Sequence, residues 1–344
     1  MNHPAWKRLA RSVCWAGVLL MAACSSDGEQ ADESASWQLV FEDLPGALLS
    51  VWGTSDRDVW SVGGDPGDGT GPLVLHFDGR RWERRSTGST GDLWWVYGFA
   101  DGPVYMGGKE GTILKYQDGA FDEMDTPGSN TVFGLWGEAA DDMWAVGGQG
   151  ATPSGGFAWR SDGTSWREAD GVPDALESSA TLFKVWGAAA DDIWFVGTDG
   201  TLAHYDGASF ESDDAPGGHT LFTVHGDGKR TYAVGGEVEG VILENSGSGW
   251  KDVAPHDTSQ LSGVCAGANV VYAAGINGAL YRREQSGWQR VETGLSIRED
   301  LHSVWIDPKG GVWSVGGQVL SQPLVRGVMA HRGPKVSGGD YDEP

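Results

Sequence analysis

The phrase ADDMWAVGG (Ala140–Gly148) returns fifty residues later as ADDIWFVG (Ala190–Gly197). It belongs to a longer repeat. A first element reads SVWG (Ser50–Gly53), WVYG (Trp95–Gly98), GLWG (Gly134–Gly137) and KVWG (Lys184–Gly187), then in worn form TVHG (Thr223–Gly226), GVCAG (Gly263–Gly267) and SVWI (Ser303–Ile306). At the aromatic position these seven copies lie 45, 39, 50, 39, 40 and 40 residues apart. Each is followed by a second element such as DVWSVGG or DMWAVGG and, in the first six copies, by a third such as LVLHFDG or TLAHYDG and a fourth that starts on Trp82, Phe121, Trp166, Phe210, Trp250 or Trp288. Short runs rich in Val, Thr and aromatics, bounded by Gly or Asp-Gly, are strand signals. The Asp-Gly pairs at Asp78, Asp118, Asp162 and Asp206 suit tight hairpin turns. Four short strands per repeat of about 40 residues make a β-propeller blade.

The seventh copy lacks a fourth element, and a stray one, SWQLVF (Ser36–Phe41), precedes the first copy. The expectation is therefore an all-β, seven-bladed propeller of four-stranded antiparallel blades, closed by one N-terminal strand added to three C-terminal ones. A closed ring leaves no free end blade, whereas an open array needs capping repeats. The domain spans 36–332, and residues 333–344 read as a disordered acidic tail. Most of the 18 tryptophans are expected in the core, because each blade is covered on both faces and side chains alternate along a strand.

The first residues read as an address. Lys7, Arg8 and Arg11 precede an apolar stretch, Val13–Ala23, too short to span a bilayer. It ends in LMAAC (Leu20–Cys24), which resembles a bacterial lipobox with Met21 where Leu is usual. The resemblance implies cleavage after residue 23 and a lipid on Cys24. With Ser25 and Ser26 following, it implies sorting to the outer membrane, on its periplasmic side or at the cell surface. Residues 24–35 form a polar acidic tether, without the apolar residues a core needs. Three cysteines give no disulfide framework. A net charge of −24 argues against nucleic acid and against anionic lipid surfaces, so the membrane is met only through the anchor.

The pattern of a glycine doublet followed by YDG and Trp resembles kelch repeats. SDGTSW (Ser161–Trp166) is similar to the Asp-box of sialidase-like propellers, one residue short. Both resemblances concern architecture, and fold does not give function. The arginine cluster and paired ligands that propeller hydrolases and copper oxidases need are not evident. Arg80, Arg81, Arg84 and Arg85 fall on the third-to-fourth turn and outer strand and read as a solvated edge. His225, Cys265 and His302 fall near the axis in three successive blades, where a zinc or copper ion would find soft ligands. The plainer reading is two repeats reduced to smaller residues, with Cys265 an inert hydrophobe. DPGDG (Asp65–Gly69) has carboxylates at a calcium-like spacing but lacks a downstream Glu. No cofactor is expected.

Loops between strands two and three, and from four to the next blade, share one face and vary in length, as functional loops do. Asp65, Asp68, Glu237 and Glu239 lie there. Two places before the inner aromatic stand Ser50, Trp95, Gly134, Lys184, Thr223, Gly263 and Ser303, of which Trp95 and Lys184 are large. These six residues are the candidate site. The expected function is a monomeric, non-enzymatic envelope lipoprotein that binds a protein or glycan through this face. The alternative is a secreted carbohydrate-active or metal-dependent enzyme.

Overall fold

The structure, a computed structural model, describes residues 36–150, 152–177, 180–213 and 215–344. Cys24 and the segments 1–23 and 24–35 lie outside these. Seven four-stranded antiparallel sheets form a seven-bladed β-propeller. Six blades take their strands consecutively, from 48–84, 93–123, 131–168, 182–212, 221–252 and 261–290. The seventh joins Asp300–Ile306, Val312–Gln318 and Val325–Arg332 to the N-terminal strand Trp37–Leu44. Trp37 pairs with Arg332 and Leu39 with Ala330 across that closure. Gln38 Nε2 also donates to Nδ1 of the buried His331, 3.0 Å away.

The repeated phrase encodes the contact between blades. In the first blade Val51 packs with the seventh-blade core and Trp52 with that of the second. Each inner-strand aromatic reaches the position after its counterpart in the next blade. A Cβ built there would stand 2.9 Å from Trp52 at Gly98, 2.6 Å from Trp136 at Gly187, 2.5 Å from Trp186 at Gly226 and 2.9 Å from Trp305 at Gly53. Tyr97 instead donates its hydroxyl to the Gly137 carbonyl at 2.7 Å. Where the reaching side chain shrinks, the receiving residue grows. His225 meets Ala266, whose N–H it accepts at 3.2 Å, and Cys265 packs with Ile306. The worn copies are thus complementary pairs.

The Asp of the DxW phrase pins the next layer. Asp58 binds His76, stacked on Trp60 at 4.0 Å, and Asp192 binds His204 beside Trp194. Asp142 binds Arg160, which lies over Trp144.

Two expectations need correction. Residues 333–344 are not a loose tail. Gly339 N–H donates to the Val40 carbonyl at 2.8 Å, Asp342 exchanges backbone hydrogen bonds with Trp82 and Arg84, and Tyr341 packs edge-on against Phe41. The segment thereby covers the outer seam between the closing strand and the first blade, satisfying backbone groups that a sheet edge leaves unpaired. Nor is Arg84 a solvated edge residue. It is 3% exposed, held by both Asp68 carboxylate oxygens at 2.6 and 3.2 Å and by the Gly71 carbonyl.

Candidate functional site

Every inner strand breaks its pairing with the second strand at the same place. The register slips between Leu48 and Ser50, Leu93 and Trp95, Val132 and Gly134, Leu182 and Lys184, Leu221 and Thr223, Leu261 and Gly263, and Leu301 and Ser303. The residue skipped is Leu49, Trp94, Phe133, Phe183, Phe222, Ser262 or His302. A bulge frees a side chain from the strict alternation of a strand and re-aims it. Six of the seven, all but Leu49, border one cavity of about 550 Å³ at the channel mouth where the inner strands begin. Its aromatic wall is continuous. Ring centroids lie 5.1 Å apart for Trp94 and Phe133, 5.4 Å for Phe133 and Phe183, and 5.2 Å for Phe183 and Phe222. His302 extends the wall at its other end, 5.9 Å from Trp94. Gly150, Val319, Leu320 and Gln322, from loops between second and third strands, raise the rim, so the cup opens on the long-loop face.

Beneath the cup, the ring of residues two places before each inner aromatic stitches neighbouring blades together. Ser50 Oγ accepts Val96 N–H, Trp95 Nε1 donates to the Leu135 carbonyl at 3.0 Å, and Thr223 Oγ1 donates to the Ser262 carbonyl at 2.7 Å. Lys184 Nζ donates to the Phe133 carbonyl at 2.9 Å and sits 3.3 Å from the centroid of the Trp95 ring. The two oversized residues of the sequence pattern therefore meet. They do so across Gly134, where a Cβ would stand 3.1 Å from Lys184 Cα. Lys184 lines both the cup and a second chamber of about 290 Å³ deeper in the channel, which Trp95 also lines.

The electrostatics follow from burial. Lys184 is 4% exposed, and burial alone holds its pKa well below that of a free lysine. His302 donates Nδ1–H to the Leu49 carbonyl at 2.6 Å, which leaves Nε2 as its acceptor, and burial lowers its pKa to about 4. His225 is lowered to about 4 in the same way, and the Cys265 thiol is pushed up to about 12. His225 already spends Nδ1 on Ala266 N–H. Among the described residues no three His, Cys, Asp or Glu side chains converge as a metal site.

The acidic candidates stand apart from the cup and mostly serve the loops. Asp65 accepts Gly67 and Gly91 N–H at 2.8 Å each, bracing two long loops. Asp68 holds Arg84, which lowers the carboxylate's pKa. Glu237 accepts from Thr220, which lowers its pKa, and Glu239 is exposed.

The fold is shared with virginiamycin B lyase from Staphylococcus aureus, at 13% identity and TM-score 0.66 over 86% of this chain and 99% of that one. It is shared with the WD40 repeats of RRP9, at 13% identity and TM-score 0.68 over 88% and 98%. YCF48 from Cyanidioschyzon merolae matches at 15% identity and TM-score 0.64 over 87% and 99%. These likenesses are of fold alone. No family model and no curated protein matches the chain.

The sequence reading reached Trp95 and Lys184 but missed the cup above them. A signal was present, since Trp94, Phe133, Phe183 and Phe222 precede the small-residue ring in four successive copies. Strict strand alternation would have turned those side chains away from their present wall. The bulge that re-aims them is a property of pairing between strands.

Proposed function

We propose that this chain is an exported binding module, tethered to the outer membrane through a lipid on Cys24, that seats an apolar group of its ligand in the aromatic cup. The observation that carries the reading is the ring of seven bulges gathered at one mouth of the channel. Repetition of the same backbone device in every blade builds a preformed concave site, and preformed apolar cavities with a few polar groups are the usual form of ligand sites. The surface around it agrees. Among the described residues the exposed large hydrophobics are Val238 at 88%, Leu320 at 64% and Val253 at 36%, and all three leave their strands toward this face. No helix among the described residues is long and apolar enough to cross a membrane, so in this reading attachment rests on Cys24.

An apolar group suits the cup better than a sugar. A sugar needs several hydrogen-bonding partners beside its stacking ring, and of the polar side chains here Lys184, His302 and Thr223 already donate to backbone carbonyls, which leaves chiefly Gln260, Ser262 and Gln322. A photo-cross-linker placed at Leu320 in the full chain in cells tests the reading. It should capture a defined partner or ligand, capture should fall at least tenfold in Trp94→Ala/Phe183→Ala, and a cross-linker at Asp122 on an outer strand should capture none of it. Equal capture from both positions, or capture unchanged by the double substitution, would overturn it.

A further inference from the structure

We propose that the cup is a carbonyl-capture site, in which the Lys184 amine forms an imine with the aldehyde or ketone of a compound whose aromatic or apolar part fills the cup. The inference rests on the cup being the binding site.

Lys184 is the one cation in its ring, where the other blades place Ser50, Trp95, Gly134, Thr223, Gly263 and Ser303. Among the described residues it meets the Phe133 carbonyl at 2.9 Å and the Trp95 ring at 3.3 Å, and no carboxylate there offsets its burial. A buried ammonium normally brings a carboxylate with it, because an unpaired charge is costly in an apolar surrounding. An uncharged amine escapes that cost. Its two N–H bonds suit the carbonyl and the indole face, and its lone pair is left over. A lysine desolvated in an apolar pocket is activated as a nucleophile toward carbonyl carbon in this way.

A purely structural role does not call for an amine. In the next blade, Thr223 satisfies the carbonyl of Ser262 with a hydroxyl at 2.7 Å. Lysine at 184 makes its stitch to the preceding blade, at the Phe133 carbonyl, and adds a nucleophile at the floor of an aromatic cavity. The reaction balances without a further reagent. The Nζ lone pair forms the C–N bond and the carbonyl π pair moves to oxygen. A proton then passes from nitrogen to that oxygen. Loss of hydroxide with the second nitrogen proton, as water, leaves the neutral imine. His302, on the same wall, offers Nε2 as the proton acceptor. A cavity that excludes bulk water favours the imine over its hydrolysis.

The test uses purified full-length chain and 2-naphthaldehyde, with borohydride reduction and peptide mapping. A naphthylmethyl adduct should form at Lys184 at least tenfold faster than at the exposed Lys251 or the half-exposed Lys109 of the same molecules. The rate at Lys184 should hold as pH is lowered from 9 to 7, while the others slow. Labelling at Lys184 no faster than at Lys109 and Lys251 would overturn the proposal. The unreactive analogue 2-naphthalenemethanol, followed by tryptophan fluorescence, separates the two readings. Binding of the alcohol without labelling of Lys184 rejects the imine and keeps the cup as a binding site. Absence of both rejects both.

Discussion

A Cβ on Gly187 would stand 2.6 Å from Cη2 of Trp136. The indole of the third blade thus occupies the space that any side chain at the fourth blade's glycine would need. This contact joins consecutive blades, so residue size is matched around the ring, from Trp on Gly down to Cys265 on Ile306. Gly187→Ala should destabilise the fold by about 1–3 kcal/mol, the usual cost of overpacking. In a Trp136→Leu background the same change should cost less, with a coupling of about 1 kcal/mol in a double-mutant cycle of urea midpoints. Additive effects would mean that Gly187 is kept for its backbone and not for the indole.

Three histidines with depressed pKa values make stability fall in mild acid. His225, His302 and His331 are each lowered by burial to about 4 from an ordinary 6.5. Below pH 6.5 the unfolded chain takes up protons that the folded chain refuses. Stability is then lost as pH falls toward 4, and these groups add no further loss below that. One such group contributes about 1.4 kcal/mol per pH unit. His331 is 1% exposed and should contribute in full, whereas His225 and His302 border the channel and are partly screened. The wild-type slope from these groups should lie between about 1.4 and about 4 kcal/mol per unit. His331→Phe should flatten the slope by about one proton, read from urea titrations at pH 6 and 5.

Truncation after Arg332 should destabilise the propeller although it removes only polar-looking sequence. It uncovers Phe41 and Trp82 and strips the backbone partners of Val40, Trp82 and Arg84. The expected loss is on the order of 2–4 kcal/mol. A shift in tryptophan emission should accompany it, since Trp82 is 2% exposed in the intact chain.

That segment also marks where the sequence stops being legible. The closing strand could be read because a periodic pattern has a missing member, and Trp37 stands where Trp82 and Trp288 stand in their own blades. The packing of 333–344 has no period. It depends on one aromatic, Tyr341, and on main-chain hydrogen bonds to residues some 260–300 positions away, which composition cannot signal. Arg84 was misread for the same reason, because its burial comes from the loop that carries Asp68 and from Tyr341 and Glu343. Trp95 and Lys184 were legible as departures from a small-residue ring. That they touch depends on Gly134 between them in the ring.

Asp68→Ala should act on stability before binding. It leaves the Arg84 guanidinium buried with the Gly71 carbonyl and a more distant Glu343 at 3.7 Å. Losing one partner of a fully buried pair costs about 3–5 kcal/mol, and the half-open carboxylate here lowers the expectation to about 1–3 kcal/mol. Thermal melts should shift down, while capture through the Leu320 cross-linker stays the same.

Neighbouring tryptophans should separate the two roles of the site. Trp95 is a floor member. Its Nε1 is satisfied by the Leu135 carbonyl at 3.0 Å and its face carries the Lys184 amine. Removing it opens a void in the channel and leaves the amine with a single partner. Trp95→Ala should therefore cost about 3–5 kcal/mol of stability, as for other large-to-small changes in packed sites. Trp94 is a wall member on a bulge, with its ring against Phe133 and His302. Its Nε1 is buried and has no hydrogen-bond partner within the described residues, a donor that a ligand in the cup could use. Trp94→Ala should cost less stability and more binding, on the order of 2 kcal/mol or above in affinity for a captured ligand, as anchoring aromatics do. Paired melting curves and titrations of the two variants decide the matter. If Trp94→Ala melts as early as Trp95→Ala while ligand affinity is unchanged, the cup is packing and the binding site lies elsewhere on the face.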